Sequence, residues 1–182
     1  MDKRLYQRIL AMAPLFRTLS PDELSQIVEI SKVLRVREGV TVVEEGDVAS
    51  AMYVLVEGTA EVNKELPGGD ITRLATLKAP TVFGEMALID SHPRSATVAT
   101  TSDAVLFQIN LESFNELRRA YAPAAFKVLR AVAPLMCERL RTIDERVGEF
   151  FKNPEQDLSS IERRFLGSAM GGGQSGPSGG VQ

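Results

Sequence analysis

The sequence predicts an α+β fold that is mainly β, in which a region of short strands lies between helices at both ends of the chain. Between Val33 and Ile109, short runs rich in β-branched and aromatic residues alternate with turn residues such as glycine and aspartate. Before and after this region, apolar residues recur at helical spacing instead. Several short strands separated by glycine turns are typical of a β-sandwich or a β-barrel.

Two helices are predicted ahead of the strands. The first is a short amphipathic helix over residues 2–12, where apolar residues have helical spacing. The second begins at Pro21, because Ser20 is a good N-cap, proline suits the first helical position and Glu23 completes a capping box. We expect this second helix to end at about residue 30.

Seven strands are predicted from runs of β-forming residues bounded by turns. They are Val33–Val36, Thr41–Glu44, Ala51–Glu57, Thr59–Lys64, Ile71–Leu77, Ala96–Thr100 and Ala104–Ile109.

Two helices are predicted after the strands, from Leu111 to Arg119 behind an Asn110 N-cap and from about Pro123 onward. The apolar positions of the longer helix form a nearly heptad seam, and Pro134 within it predicts a kink. The seam residues are Leu129, Val132, Met136, Leu140, Ile143, Val147 and Phe150. Such a seam fits either a homodimer contact or a helix that covers the strands of its own chain, and both remain open at this point.

One segment between the strands has the residues needed to hold a cyclic phosphodiester. Gly84 lets the main chain approach a ligand closely, and the amides of residues 86–88 open a short helix that can accept an anion. Arg94 supplies a charged planar fork that matches two phosphate oxygens. Glu85, as an anion, suits a sugar hydroxyl instead. The alternative is a surface turn with a structural Glu85–Arg94 ion pair.

This segment resembles the phosphate-binding cassette of the cyclic nucleotide-binding domain family, which includes protein kinase regulatory subunits, gated channels and catabolite-activator-type regulators. The family pattern is matched by Phe83, Gly84, Glu85, Ala87, Leu88, Pro93, Arg94, Ala96 and Thr97. The resemblance implies an eight-stranded jelly roll with a C-terminal lid helix. The sequence departs from the family at residues 78–82, which lack the usual glycine before the cassette.

The resemblance also implies roles for the residues of the cassette. Glu85 takes the ribose 2′-hydroxyl, Arg94 and the amides near Ala87 take the cyclic phosphate, and Ser95 adds a hydroxyl donor. The resulting ligand site comprises Phe83, Gly84, Glu85, Met86, Ala87, Leu88, Arg94, Ser95 and Ala96. The resemblance implies cAMP or cGMP as the ligand, and the serine at position 95 favours cAMP, because the family's bacterial activators with serine there bind cAMP.

Composition excludes several other classes of function. The 182 residues carry a net charge of −3, which argues against general nucleic-acid binding, and contain one cysteine and one histidine. No internal disulfide is then available, and a zinc site would need carboxylates for nearly all of its ligands, which is unusual for zinc. The sequence has neither an apolar signal-peptide core nor a run long enough to cross a membrane. We therefore expect a cytoplasmic protein that is not an enzyme and has no cofactor besides its nucleotide ligand.

We expect four regions along the chain: an N-terminal helix over 1–13, a cyclic nucleotide-binding domain with its lid helix over 14–150, a short helical extension over 151–166 and a disordered glycine-rich tail over 167–182. No helix-turn-helix segment for direct DNA binding is expected. The predicted function is a regulatory module that signals to a protein effector through its C-terminal helix.

Two other functions are compatible with the sequence. One is a structural or protein-interaction domain that keeps the fold without binding a nucleotide. The other is a hydrolase with a site at Asp90, Ser91, His92 and Ser95, although these residues share one short loop and lack the spread of a catalytic triad.

Overall fold

The structure, a computed structural model, describes residues 3–90 and 92–152. The predicted helical extension and glycine-rich tail lie outside the described residues, apart from the last two residues of a helix that ends at Lys152. Contacts divide the chain into two compact units, with the boundary between Met136 and Cys137 inside that helix.

The helices ahead of the strands follow the sequence closely. Helix α1 spans Lys3–Met12, a 3-10 turn covers Pro14–Phe16, and α2 spans Pro21–Glu29. The capping box is confirmed: the Glu23 amide donates to Ser20 Oγ at 3.3 Å, and the Ser20 amide donates to Glu23 Oε2 at 2.7 Å. These bonds satisfy amide donors that a helix start otherwise leaves without a partner.

The strands form two four-stranded antiparallel sheets. The first has the order β1-β8-β3-β6 and the second β2-β7-β4-β5. The strands are β1 Ser31–Val36, β2 Thr41–Val43, β3 Ala51–Glu57, β4 Thr59–Glu65, β5 Ile71–Lys78, β6 Thr81–Phe83, β7 Thr97–Thr100 and β8 Ala104–Asn110. This is the expected mixed α+β jelly roll, but no strand pairing in the described part of the chain closes the two sheets into a barrel.

The eighth strand, β6, was not among the seven strands predicted from residue patterns. It has only three residues, which is too short for alternation to be recognised, and it is defined by its pairing with β3. Phe83 lies opposite Tyr53 in that pairing. The strand therefore carries the chain directly into the cassette, by which we mean residues 83–98.

The first sheet has an apolar cluster on each of its faces. Met52 and Val54 of β3 join the cluster that contains the helices, whereas Tyr53 and Leu55 join the cluster between the two sheets. This alternation follows from the two-residue period of a strand. The helical cluster includes Tyr6 of α1, whose ring meets Phe107 of β8 edge to face, with centroids 4.9 Å apart.

Two helices follow the strands, as predicted. Helix α3 spans Leu111–Arg119, and the Asn110 side chain caps it by accepting from the amides of Glu112 and Ser113. Helix α4 spans Pro123–Lys152 and includes Pro134. No helix among the residues that the structure describes is long and apolar enough to span a bilayer.

The seam of α4 has two different environments. Val132 is fully buried in the helical cluster, with Leu129 and Met136 packed against it. In the second unit, Leu140 and Ile143 are 59% and 53% exposed. The first part of the seam therefore covers its own chain, whereas Leu140 and Ile143 are apolar residues open to solvent.

Candidate functional site

The cassette begins with a backbone conformation that requires glycine. β6 ends at Phe83, and Gly84 has φ 71° and ψ 14°, in the left-handed region, before a 3-10 helix over Glu85–Leu88. A Cβ added to Gly84 would lie 2.7 Å from Nη1 of Arg94. Glycine is therefore required at this position both for the turn and for the space that the guanidinium occupies.

Arg94 is the cation of the site, and it lies against the main chain on either side of the cassette. Its Nη2 donates to the carbonyl of Ala51 at 2.5 Å and its Nη1 donates to the carbonyl of Gly84 at 3.4 Å. Its guanidinium carbon lies 6.0 Å from the centroid of the Tyr53 ring. The side chain thus bridges β3 and the start of the cassette.

The charge of Arg94 is retained in this half-buried position. Burial lowers the pKa of Arg94, and the nearby Tyr53 and Asp47 oppose that shift. An arginine starts so far above neutral pH that it remains a cation. A charged fork with N–H donors to spare is suited to a phosphate.

The backbone of Arg94 is held by the turn after β2. The Arg94 amide donates to the Asp47 carbonyl at 2.8 Å, and the Gly46 amide donates to the Arg94 carbonyl at 2.9 Å. Two reciprocal main-chain bonds fix the point from which the guanidinium extends.

Glu85 is in the interior, with a relative exposure of only 1%. Burial of a carboxylate is costly unless polar groups surround it, so such a residue marks a specialised environment. The Glu85 backbone directly follows Gly84, whose carbonyl Arg94 contacts. The structure thus brings the predicted Gly84, Glu85 and Arg94 into one region.

The other predicted residues have diverse positions. Phe83, Ala87 and Leu88 are buried, whereas Met86 is 44% exposed and the Ser95 side chain is exposed. Phe83 stacks on Tyr53, with centroids 5.2 Å apart. Ala96 is partly buried just ahead of β7.

The amides of the cassette helix were predicted to be open for an anion. For Ala87 the structure differs from this prediction, because its amide donates to the Gly84 carbonyl at 3.3 Å, near the long limit for such a bond. This carbonyl also accepts from Arg94.

Several site residues were missed by the sequence-based site prediction, because they come from a distant part of the chain. Ala51 and Tyr53 lie on β3, and Gly46 and Asp47 precede that strand, about forty residues before Arg94. The Glu-Gly-Asp turn at 45–47 was a usable signal, since a glycine turn ahead of a strand marks a tight backbone approach.

In the loop considered for hydrolysis, the imidazole of His92 contacts the carboxylate of Asp90. His92 Nδ1 lies 3.3 Å from Asp90 Oδ2, and the histidine side chain is 82% exposed; Ser91 lies outside the described residues. Among residues 3–90 and 92–152, no three His, Cys, Asp or Glu side chains are grouped as a metal site.

Comparison with known proteins assigns a family to the part of the chain that carries the cassette. Residues 33–121 match the family model of the cyclic nucleotide-binding domain. Glutaminase 1 of Bradyrhizobium diazoefficiens is 36% identical over 138 residues, which are 76% of this chain and 22% of the glutaminase. The cAMP-dependent protein kinase regulatory subunit of Aspergillus niger is 30% identical over 115 residues, 63% of this chain and 27% of the relative.

A solved structure from another regulatory protein has a similar fold. The Thermus thermophilus catabolite activator protein is 28% identical, has a TM-score of 0.64, and is matched over 82% of this chain and 64% of its own. This chain spans only about a quarter of the two curated relatives' lengths. The cassette geometry, the jelly roll and the matched residues together place residues 33–121 in the cyclic nucleotide-binding domain family.

Proposed function

We propose that this domain binds a cyclic mononucleotide at the cassette and reports its presence to a protein partner through α4. The observation that carries the proposal is the position of Arg94. This half-buried cation contacts Gly84, and the residue after Gly84 is the buried Glu85. The A. niger relative is a cAMP-dependent regulatory subunit, and the serine at position 95 also favours cAMP over cGMP.

The chemistry of the site suits binding without turnover. Arg94 has five N–H donors, and it donates one to Ala51 at 2.5 Å and another to Gly84 at 3.4 Å. The longer bond is the weaker one, so a phosphate oxygen can take over that donor. Glu85 is the residue after Gly84, and its carboxylate suits the ribose hydroxyl. We propose no reaction of the ligand.

The similarity to a glutaminase does not lead us to propose glutaminase activity. The matched region is 22% of that protein. Regulatory subunits and a catabolite activator protein share the same domain, which favours a regulatory role for this one.

The start of α4 is placed to respond to the ligand. Val128 and Val132 are buried in the helical cluster, and Lys127 donates to Glu23 at 2.8 Å. That bond to Lys127 is the main reason that the pKa of Glu23 is lowered, so the Glu23 carboxylate is ionised at neutral pH. A ligand acts on such a helix only if it binds one arrangement better than another. We propose that cyclic nucleotide favours the arrangement in which residues 126–136 close over the base.

Calorimetry with cAMP and cGMP, followed by hydrogen exchange, tests this proposal. We expect saturable binding, tighter for cAMP, together with slower exchange at residues 84–95 and at residues 126–137. An absence of binding for both nucleotides would overturn the binding proposal. Slower exchange in the cassette alone would overturn the role of α4 and leave a nucleotide holder without a switch.

Separately from the protein effector, we propose that the exposed apolar residues of α4, Leu140 and Ile143, contact a second copy of the chain. Replacing Leu140 with aspartate is expected to convert a homodimer to a monomer, because the interface would then bury a carboxylate without a counter-charge. Sedimentation velocity measures the change. Thr142→Asp, on the same exposed part of the helix, is the matched control and should remain dimeric. A wild-type monomer at high concentration would contradict the homodimer.

A further inference from the structure

An ion pair on the second sheet contacts the cassette directly. Lys64 of β4 forms a salt bridge with Glu45, and its Nζ also donates to the main-chain carbonyl of Ser95 at 2.9 Å. The second oxygen of Glu45 accepts from the Glu65 amide at 3.1 Å. One charged pair therefore links the turn after β2, strand β4 and the residue that follows Arg94.

The turn that carries Glu45 also forms main-chain hydrogen bonds with the cassette. Gly46 and Asp47 form the two reciprocal bonds with Arg94, and the Glu45 amide donates to Thr97 Oγ1 at 3.0 Å. The turn therefore contacts residues 94 and 97, and Lys64 contacts residue 95 between them. The arginine side chain is flexible, so the position of its guanidinium depends on how firmly the backbone at Arg94 is held.

We propose that Lys64 and Glu45 are positioning residues for the phosphate contact, which they support by fixing the backbone at Arg94 and Ser95 without touching the ligand. This inference rests on the proposed nucleotide-binding function. The side chains are 38% and 27% exposed. Lys64 lowers the pKa of Glu45, with a smaller contribution from the Glu65 amide, so the Glu45 carboxylate is ionised at neutral pH.

A neighbouring ion pair shows why this one is distinctive. Arg73 and Glu61 join β5 to β4 on the same sheet at 2.7 Å, and the Glu61 side chain is 28% exposed. In the part of the chain that the structure describes, this pair forms no hydrogen bond with the cassette. Exposed ion pairs contribute little to stability by themselves, so the added bond to Ser95 is what gives Lys64 a role in the site.

The experiment compares Lys64→Met and Glu45→Gln with Glu61→Gln and Arg73→Met as matched controls. In the ligand-free protein, we expect hydrogen exchange over residues 92–97 to become several times faster in the first two variants only. The affinity for cAMP should fall about three- to tenfold, the effect of losing one ordinary hydrogen bond. Lys64→Arg should restore most of it.

A second ligand separates positioning from general damage. The ratio of affinities for cAMP and 2′-deoxy-cAMP should stay at the wild-type value in Lys64→Met, because Glu85 is untouched. An altered ratio, unchanged exchange at 92–97, or unchanged cAMP affinity despite faster exchange would each overturn the positioning role. Failure of the wild type to bind either nucleotide would overturn the proposed function, while the exchange measurement would still decide whether Lys64 orders the segment.

Discussion

Replacing Arg94 with alanine is expected to weaken cAMP binding ten- to a hundredfold or more while the domain stays folded. A charge-assisted hydrogen bond to phosphate contributes about 1.5–3 kcal/mol, and the guanidinium is the cation placed beside Gly84 to make it. Glu85→Ala should weaken binding in the same range, but only for ligands that carry the ribose 2′-hydroxyl. Calorimetry with cAMP and 2′-deoxy-cAMP measures both effects.

The control for this prediction is Arg73→Ala, which removes a cation from an exposed pair on the second sheet. It should leave cAMP affinity unchanged, because the affinity depends on the cation beside Gly84 and not on the net charge of the protein. Thermal unfolding of each variant identifies any loss of fold. Wild-type affinity in both Arg94→Ala and Glu85→Ala would show that the nucleotide, if bound, lies elsewhere.

Gly84→Ala is expected to lower both stability and affinity, for separate reasons. A side chain in the left-handed region costs roughly 1–2 kcal/mol, and Gly84 has φ +71°. The new methyl group would also lie 2.7 Å from Nη1 of Arg94 and displace the guanidinium. We expect about a tenfold loss of cAMP affinity, comparable to the loss of a charge-assisted bond.

A second glycine separates these two effects. Gly39 has φ +80°, and a Cβ placed there meets no atom within 4 Å. Gly39→Ala should therefore lower the free energy of unfolding by a similar amount while cAMP affinity is retained. Equal affinity losses in the two variants would mean that backbone strain, and not contact with Arg94, governs binding.

The sequence predicted elements with local signals and missed those defined by distant contacts. The Ser20 capping box and the Asn110 N-cap were recognisable because their partners lie within three residues. Strand β6 was missed because its three residues become a strand only by pairing with β3.

The candidate site follows the same division. Gly84, Glu85 and Arg94 were recognisable as one motif, and the structure brings them together. The carbonyl of Ala51 and the ring of Tyr53 belong to a strand more than thirty residues earlier. The cassette motif therefore does not predict their contacts with Arg94. The grip of residues 45–47 on Arg94 likewise depends on how the two sheets meet.

The alternating faces of β3 have a consequence for how this domain could transmit a signal. Tyr53, beneath the guanidinium, is followed by Val54, which faces the opposite way and pairs in register with Phe107, the neighbour of Tyr6 in α1. The Arg94 guanidinium and the helical cluster are therefore separated by the thickness of a single strand. Because close-packed interiors transmit strain, a displacement of Tyr53 can reach the helical cluster through β3 itself, without any movement of a lid. Substitutions on the helical face of β3, at Met52 or Val54, can then alter the position of Tyr53 and Arg94 without any contact with the cassette.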